Sequence, residues 1–321
     1  MTSLARFGLA VGHASDVDGG TGCTVVRGVS EPHRAAVAVI GRATGSRELA
    51  LLEPGHLVER VDAILLSGGS AYGLDAAAGV MRWMEAQGRG FPVGAGVVPI
   101  VPAAVLFDLG PCGRFDARPT AEMAEAACES ATSDGVAEGS VGAGTGLTVG
   151  KLRGKSGAMK GGFGVAVREG TGCAAAAMVA VNAFGDVRDG GGRIIAGARG
   201  ADGGFVDTAR VIAEDGGERA FGSAAAAPAP NTTLAVVALD AAFTRVELQQ
   251  VARAATAAYH RRITPAGSSF DGDIVFALSP MEGPRAPLAQ AEMLAVAALE
   301  AAIERAVRAA RGRDGVPGLA D

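Results

Sequence analysis

A layered α+β or α/β sandwich is the fold class that the sequence predicts, on three observations. Hydrophobic residues make up 49% of the 321 residues, so a sizeable core can be buried. The predicted strands and helices follow one another without the regular βαβ rhythm of a barrel. No internal repeat of about 20 to 50 residues is visible. Since only 4% of the residues are aromatic and 49 are glycine, we expect an aliphatic core with many tight turns.

The N-terminal half contains short strands and two helices by pattern. Short apolar runs bounded by turn residues predict strands at 6–12, 22–28, 35–41 and 62–67. Apolar residues at helical spacing, among them Val80 and Met84, predict a helix over residues 71–87. Pro119 and Thr120, followed by acidic residues in the first turn, predict a second helix over 119–135.

The C-terminal half is more regular. Apolar runs predict strands at 165–167, 174–182, 232–240 and 274–278. Apolar periodicity predicts helices over 244–260, with Val246 on the apolar side, and over 287–311, with Met293 on the apolar side. Between residues 186 and 230 the pattern weakens to Gly, Asp and Ala, which predicts an exposed, mobile segment.

Composition excludes several classes of function. The net charge of −5 argues against a nucleic-acid-binding protein, which would carry a basic patch. The four cysteines lie far apart without a CxxC pair, which is typical of reduced thiols in a cytoplasmic protein. The four histidines are scattered, with no HExxH, so no zinc site is expected. Neither a signal peptide nor a membrane-spanning apolar run is visible.

The junction of the weak segment with the strong strand at residue 232 has useful chemistry. Asn231 tolerates strained backbone better than most residues, and its carbonyl could be attacked by the Thr232 hydroxyl. The resulting ester, once opened by water, would leave a free α-amine with an ordinary pKa of about 8, able to serve as base for the same hydroxyl. Alternatively, Asn-Thr simply ends a loop and begins a strand. Thr233 is the competing nucleophile, and since neighbouring side chains of a strand face opposite sides, only one of the two can face a site.

Several motifs, in order along the chain, resemble those of one known family. They are Gly8-Leu-Ala-Val-Gly-His-Ala-Ser-Asp, Thr21-Gly-Cys-Thr-Val-Val, Leu65-Leu-Ser-Gly-Gly-Ser-Ala-Tyr-Gly-Leu-Asp, Gly139-Ser-Val-Gly-Ala-Gly-Thr-Gly-Leu-Thr-Val-Gly-Lys, Lys160-Gly-Gly-Phe-Gly, Val181-Asn-Ala-Phe-Gly-Asp, Pro230-Asn-Thr-Thr-Leu and Phe270-Asp-Gly-Asp-Ile-Val-Phe-Ala-Leu-Ser. Together they resemble the L-aminopeptidase/D-esterase family, which includes β-aminopeptidases and the endo-acting nylon-oligomer hydrolases. The resemblance covers nearly the whole chain.

The resemblance implies an αββα four-layer sandwich with an N-terminal-nucleophile site. It further implies that the single domain 1–321 cuts itself into a large subunit, 1–231, and a small subunit, 232–321, and forms homo-oligomers, often tetramers. The Asn-Thr junction is closest to the nylon-hydrolase branch, because other members carry serine at that place.

The resemblance also assigns roles to polar residues away from the junction. It gives the side-chain amide of Asn182 the oxyanion-hole role; alternatively, Asn182 bonds the backbone of its own turn. Lys151 ends a glycine-rich run, and beside the Thr232 amine it would disfavour protonation of that amine. Lys155 and Lys160 are alternatives, and a solvated surface lysine is a third possibility. The glycine-rich run lacks the GxxxxGK[ST] pattern, so a phosphate cradle is not expected.

Two acidic residues precede the strand at 274–278. Alternation places the carboxylates of Asp271 and Asp273 on one face, with Gly272 between them. Close carboxylates could fix the Thr232 amine and share a proton network with Lys151. An Asp-Gly-Asp turn is the alternative; a calcium loop is disfavoured because the EF-hand spacing is absent.

The sequence therefore predicts acyl transfer to water without a cofactor. Its substrate would be a short peptide, a β- or ω-amino-acid amide, or an oligoamide, and neither nucleic acid nor membrane is an expected partner. Tyr72 and Phe107 are candidate pocket residues. Two alternatives stay open: an acyltransferase resembling ornithine acetyltransferase, and an uncleaved, non-catalytic interaction protein with the same fold.

Overall fold

Two stacked β-sheets form the centre of the fold. The structure is a computed structural model and describes residues 2–215, 231–269 and 271–321. The first sheet has, within these residues, five strands in the order β1-β2-β6-β9-β4. These strands are β1 (Leu9–Asp16), β2 (Thr21–Gly28), β4 (Ser46–Arg47), β6 (Ala63–Ser67) and β9 (Ala103–Val105).

The second sheet carries the strand that begins at Thr232. Its described strands follow the order β12-β13-β16-β18-β3-β5, with β16 and β18 parallel and the other neighbours antiparallel. They are β3 (His33–Val39), β5 (Arg60–Val61), β12 (Gly162–Glu169), β13 (Ala174–Asn182), β16 (Thr232–Leu239) and β18 (Ile274–Pro280). Smaller ladders are formed by β7 (Phe91–Pro92), β8 (Val97–Val98), β10 (Thr148–Val149), β11 (Met159–Lys160), β14 (Asp186–Arg188), β15 (Ile194–Ala196) and β17 (Ile263–Thr264).

Helices cover the outer faces of both sheets. The α-helices in the described residues are α1 (Ala77–Ala86), α2 (Ala121–Glu129), α3 (Gly154–Gly157), α4 (Thr208–Asp215), α5 (Arg245–Ala255), α6 (Ala257–Arg262) and α7 (Leu288–Arg308). Helices α1 and α2 pack on the five-stranded sheet, while α5, α6 and α7 cover the six-stranded sheet. None of the helices built from residues 2–215, 231–269 and 271–321 has the length and apolar character needed to cross a membrane.

Three aliphatic clusters fill the spaces between the layers. The middle cluster lies between the two sheets and includes Ile64 from the first sheet and Leu234 from the second. A second cluster joins the first sheet to α1 and α2, through residues such as Val80. A third joins the second sheet to the opposite helices, through residues such as Val251 and Ile303. The chain is therefore an αββα four-layer sandwich, which confirms the predicted fold class.

Three predicted helices lie where they were expected, but each α-helix of the structure is shorter than its prediction. Helix α2 ends at Glu129 because Thr132 leaves to form a backbone pair with Val11 of β1. The helix predicted over 244–260 is broken at Thr256, whose hydroxyl bonds the carbonyl oxygen of Arg253 at 2.7 Å and so competes with the helical backbone. The helix predicted over 71–87 starts as a tighter 3-10 turn over Ser70–Ala76.

Two further expectations were wrong. Val246 and Met293 are 56% and 58% exposed, since each lies off the buried stripe of its helix. The segment 186–215 is not loose either, because the buried carboxylate of Asp186 accepts hydrogen bonds from the backbone N–H groups of Ala198 (2.7 Å) and Thr208 (2.6 Å). The rest of the segment predicted to be mobile, 216–230, lies outside the described residues.

Candidate active site

Thr232 is the first residue of β16, in the middle of the six-stranded sheet. Leu234 and Val236, on the same face by alternation, belong to the cluster between the two sheets. The Thr232 side chain therefore points between the sheets, whereas Thr233 lies on the face that carries the helices. Thr232 is 5% exposed, and its hydroxyl donates to the carbonyl oxygen of Asn231 at 2.6 Å. The hydroxyl of Thr232 thus sits against the peptide bond that precedes it.

The Asn231 carbonyl is held from a second direction. Asn231 pairs in parallel with Asp271, and the backbone N–H of Gly272 donates to the Asn231 carbonyl oxygen at 2.8 Å. The Asn231 side chain is buried, 1% exposed. Within the described part of the chain neither Oδ1 nor Nδ2 of Asn231 has a hydrogen-bond partner.

Asn182 lies directly opposite Thr232 on the neighbouring strand β13. Opposite residues of antiparallel strands share a face, with Cβ atoms roughly 5 Å apart. The Oδ1 atom of Asn182 accepts from the Lys151 ammonium (2.9 Å) and from the Thr148 N–H (3.1 Å). Its Nδ2 donates to the Phe107 carbonyl oxygen at 3.0 Å. An amide group carries two hydrogens, so Asn182 retains one donor hydrogen beyond that bond.

A left-handed glycine turns Lys151 inward. Gly150 has φ 66°, and a Cβ on it would meet the carbonyl carbon of Gly197 at 2.1 Å. The N–H groups of Gly150 and Lys151 donate to the carbonyl oxygens of Gly185 and Phe184, both at 3.0 Å. The Lys151 ammonium then reaches the backbone oxygen as well as the side chain of Asn182, at 2.9 Å each.

The electrostatics of Lys151 suit proton transfer near neutral pH. Burial lowers the pKa of its ammonium to about 7, and the carboxylates of Asp271 and Asp273 oppose that shift. The group therefore changes charge close to pH 7 rather than near its ordinary value of 10.5. A buried lysine with such a pKa is able to donate or accept a proton in a reaction at neutral pH.

The two acidic residues lie beside the same strand end. Asp273 accepts from the N–H of Thr233 at 2.6 Å and from the N–H of Gly267 at 3.2 Å. Asp271 accepts from the N–H of Ser268 at 2.6 Å. Burial raises the pKa of both carboxyls, and the proximity of Asp271 raises the pKa of Asp273 further. In the continuous chain the Asp273 carboxylate holds the backbone N–H of Thr233, next to Thr232; a contact of either carboxylate with the free amine of Thr232 stays a prediction.

The three candidate lysines differ in burial and in hydrogen-bond partners. Lys160 is buried but donates to the carbonyl oxygens of Thr145 and Leu147, both at 2.8 Å. Lys155 is exposed. Only Lys151 of these three is bonded to Asn182.

Sequence reasoning missed two contributors to this geometry. The hydroxyl of Tyr259 lies 3.2 Å from the Thr233 carbonyl oxygen and 3.0 Å from that of Ile274, so it ties the nucleophile strand to β18. Gly272 entered only as the spacer between two acids, although its backbone touches the junction. A tyrosine fully buried in an aliphatic core needs a polar partner, and this was the available signal for Tyr259.

A Gly272→Ala substitution is expected to slow any cleavage at the junction strongly. Its Cβ would come within 2.8 Å of the Thr232 hydroxyl oxygen and 2.7 Å of the Ala43 carbonyl oxygen, displacing the hydroxyl by several tenths of an ångström. A misplacement of about 1 Å costs on the order of 100-fold in rate, so we expect the slowing to reach at most about that size. The rate of fragment formation, followed by mass, is the measurement. Gly96→Ala is the control, because a Cβ there meets no atom within 4 Å.

The whole chain has counterparts among known families and proteins. The sequence model of Peptidase family S58 matches residues 7–318, nearly the whole chain. The chain belongs to peptidase family S58. It is therefore a hydrolase that acts on amide bonds, as predicted. One similar sequence is an uncharacterized aminopeptidase of Mycobacterium leprae (strain TN), 40% identical over 289 residues, covering 85% of this chain and 76% of the relative.

A second relative has a more specific name. The 6-aminohexanoate-oligomer endohydrolase of Kocuria sp. (strain KY2) is 30% identical over 285 residues, covering 86% of this chain and 74% of the relative. The L-aminopeptidase D-Ala-esterase/amidase of Ochrobactrum anthropi, described as a variant of the Ntn hydrolase fold, superposes with a TM-score of 0.73 at 19% identity over 98% of this chain and 88% of its own. That likeness shows the fold of this S58 member.

Proposed function

We propose that this S58 hydrolase cuts its own chain between Asn231 and Thr232 and then uses Thr232 as an N-terminal nucleophile. The observation that carries the proposal is the buried Thr232 hydroxyl, 2.6 Å from the carbonyl oxygen of the preceding residue. It lies opposite Asn182, which bonds a lysine whose pKa is about 7. A nucleophile, a proton-transfer group and amide donors thus meet at one strand end.

The proposed self-cleavage has two steps, an acyl shift and a hydrolysis. The Thr232 oxygen adds to the carbonyl carbon of Asn231, and the C–N bond of the old peptide breaks. The hydroxyl proton passes to the departing nitrogen with Lys151 as the proposed proton carrier, and the product is an ester between Asn231 and the Thr232 oxygen. Water hydrolyses this ester to an Asn231 carboxylate and the Thr232 hydroxyl. The new α-amine of Thr232 is then available as base.

Turnover repeats the same chemistry on a substrate. The Thr232 hydroxyl, deprotonated by its own amine, attacks an amide carbonyl and forms an acyl-enzyme that water hydrolyses. Lys151 keeps that amine unprotonated through like-charge repulsion when it is charged. The remaining donor hydrogen of Asn182 stabilises the oxyanion, a contribution typically worth roughly 3 kcal/mol of barrier.

Relatives suggest the class of substrate. The relatives include aminopeptidases and endohydrolases of 6-aminohexanoate oligomers, and the junction here is Asn-Thr. Short peptides, β- or ω-amino-acid amides and oligoamides are the substrates we propose.

We also propose that the protein forms a homo-oligomer, which the family resemblance indicates is a tetramer. Light scattering after size exclusion measures the mass of this oligomer.

The activity is tested on the purified protein with a panel of amides. We expect hydrolysis of at least one of alanine p-nitroanilide, β-alanine p-nitroanilide and the linear trimer of 6-aminohexanoate. Added hydroxylamine is expected to divert the acyl group to a hydroxamate, because an acyl-enzyme forms. Thr232→Ala is the matched inactive control. Transfer of the acyl group of a donor to the amine of added ornithine, without release of the free acid, would favour the acyltransferase, and no reaction on any donor would favour the non-catalytic alternative.

A further inference from the structure

We infer that the backbone N–H of Gly272 is the oxyanion donor for self-cleavage, separate from the Asn182 amide. The inference rests on the proposed function and concerns its first reaction. The Gly272 N–H already donates to the Asn231 carbonyl oxygen at 2.8 Å. The Asn182 Nδ2 instead donates to the Phe107 carbonyl oxygen at 3.0 Å. The carbonyl that must take up charge is thus bonded by glycine backbone in the uncut chain.

The direction of this N–H is fixed by its neighbours. The carbonyl oxygen of Asp271 accepts from the Ala43 N–H at 3.0 Å, and that of Asp273 accepts from the Ile40 N–H at 3.0 Å. Gly41 packs so closely that a Cβ on it would meet the Asp271 carbonyl oxygen at 2.2 Å. The segment 271–273 is therefore clamped between residues 40–43 and the nucleophile strand. A donor held in this way needs no reorganisation during the reaction.

The Gly272 bond gains importance as the reaction starts. In the resting chain the Asn231 oxygen accepts two hydrogen bonds, one from the Thr232 hydroxyl and one from the Gly272 N–H. When the hydroxyl oxygen attacks the Asn231 carbon, its proton leaves for the departing nitrogen and its hydrogen bond to the carbonyl is lost. The negative charge then develops on the Asn231 oxygen. Of the hydrogen bonds that this oxygen accepts from the described residues, the one from the Gly272 N–H remains. A hydrogen bond to a charged oxygen is about twice as strong as a neutral one.

The N–H is removed without adding a side chain by replacing Gly272 with glycolic acid, introduced by nonsense suppression during cell-free translation of the full chain. We expect self-cleavage to slow by about 100- to 1,000-fold, as for loss of one oxyanion donor. The control is glycolic acid at Gly139, another buried glycine whose N–H donates to a backbone oxygen, that of Phe163, at 2.7 Å. The rate there is expected to stay within about 3-fold of wild type, since this bond lies outside the junction.

Folding and the proposed function are checked separately. Each ester chain is also made with Thr232→Ala, and its melting temperature is compared with that of Thr232→Ala alone. A wild-type chain that never cleaves would overturn the proposed function and this inference together. A wild type that cleaves, beside a folded Gly272 ester chain that cleaves within about 3-fold of it, would overturn the inference alone.

A second measurement tests the contact on which the inference depends, even if the ester chain does not fold. In the uncut Thr232→Ala protein, a through-hydrogen-bond NMR coupling is measured between the Gly272 nitrogen and the Asn231 carbonyl carbon, using selective labels. A resolved coupling supports the assigned donor. Its absence, when the control coupling between Gly139 and Phe163 is resolved, would overturn it.

Discussion

A Thr232→Ala chain is expected to remain whole at 31.8 kDa, while the wild type separates into fragments 1–231 and 232–321. Alanine lacks the hydroxyl that lies 2.6 Å from the Asn231 oxygen, so no ester can form. Removing the nucleophile of a hydrolase lowers kcat on the order of 10⁶-fold, and amide hydrolysis should therefore fall to background. Intact mass under denaturing conditions measures the first result, and product release from the amide panel measures the second.

Thr233 supplies the matched control for this experiment. Thr233→Val keeps the backbone N–H that donates to Asp273 at 2.6 Å and removes only a hydroxyl from the helix-facing side. Cleavage is expected to continue, and Thr232→Ser, which retains a hydroxyl, is expected to cleave as well. An uncut wild type, or a Thr232→Ala chain that still yields a fragment starting at residue 232, contradicts the mechanism.

Local pattern was enough to place most strands and helices of the sandwich. The apolar run Thr232–Leu239 is buried on both faces between two sheet neighbours, so its sequence is continuous rather than alternating. The pairing order was beyond such reasoning, since β16 pairs in parallel with β18 and β18 then pairs with β3, from the first 40 residues. Those contacts depend on packing across the whole chain.

The candidate site was predictable in its residues but not in its contacts. The motif order pointed to Thr232, Asn182 and Lys151, and the register of β13 with β16 brings the first two opposite each other. Whether Lys151 or Lys155 turns inward depends on Gly150, which has a left-handed backbone conformation and lies close to Gly197. Both features belong to the folded backbone and cannot be derived from the local sequence pattern. The same holds for the Gly272 N–H, because a backbone donor leaves no trace in residue type.

Lys151→Met is the second substitution for which we expect a large effect. Methionine fills a similar volume but cannot carry a proton or donate to the two oxygens of Asn182, which Lys151 bonds at 2.9 Å. General acid–base groups typically contribute about 100- to 10,000-fold, so we expect self-cleavage to slow by about 1,000-fold. The time course of fragment formation, by mass, is the measurement.

The same substitution should have an unusual effect on stability. The Lys151 ammonium has a pKa of about 7 in the fold, below its ordinary value of 10.5 in an unfolded chain. Its burial therefore destabilises the fold fully below pH 7, and this penalty disappears as the pH rises from 7 to 10.5. Both chains are compared in the Thr232→Ala background. The amount by which the Lys151→Met chain exceeds the lysine chain in free energy of unfolding should be largest near pH 6.5. Its advantage should shrink by an amount on the order of a few kcal/mol toward pH 10.

Two other lysines separate this effect from a general loss of charge. Lys155→Met removes an exposed ammonium and is expected to leave the cleavage rate unchanged. Lys160→Met removes a buried ammonium that bonds the Thr145 and Leu147 oxygens rather than Asn182. Lys160 has a pKa lowered by burial to about 8, so its loss should shift stability with pH in the same direction but slow cleavage far less. If Lys151→Met and Lys160→Met slow cleavage equally, Lys151 acts through the packing of the glycine-rich segment and takes no part in proton transfer.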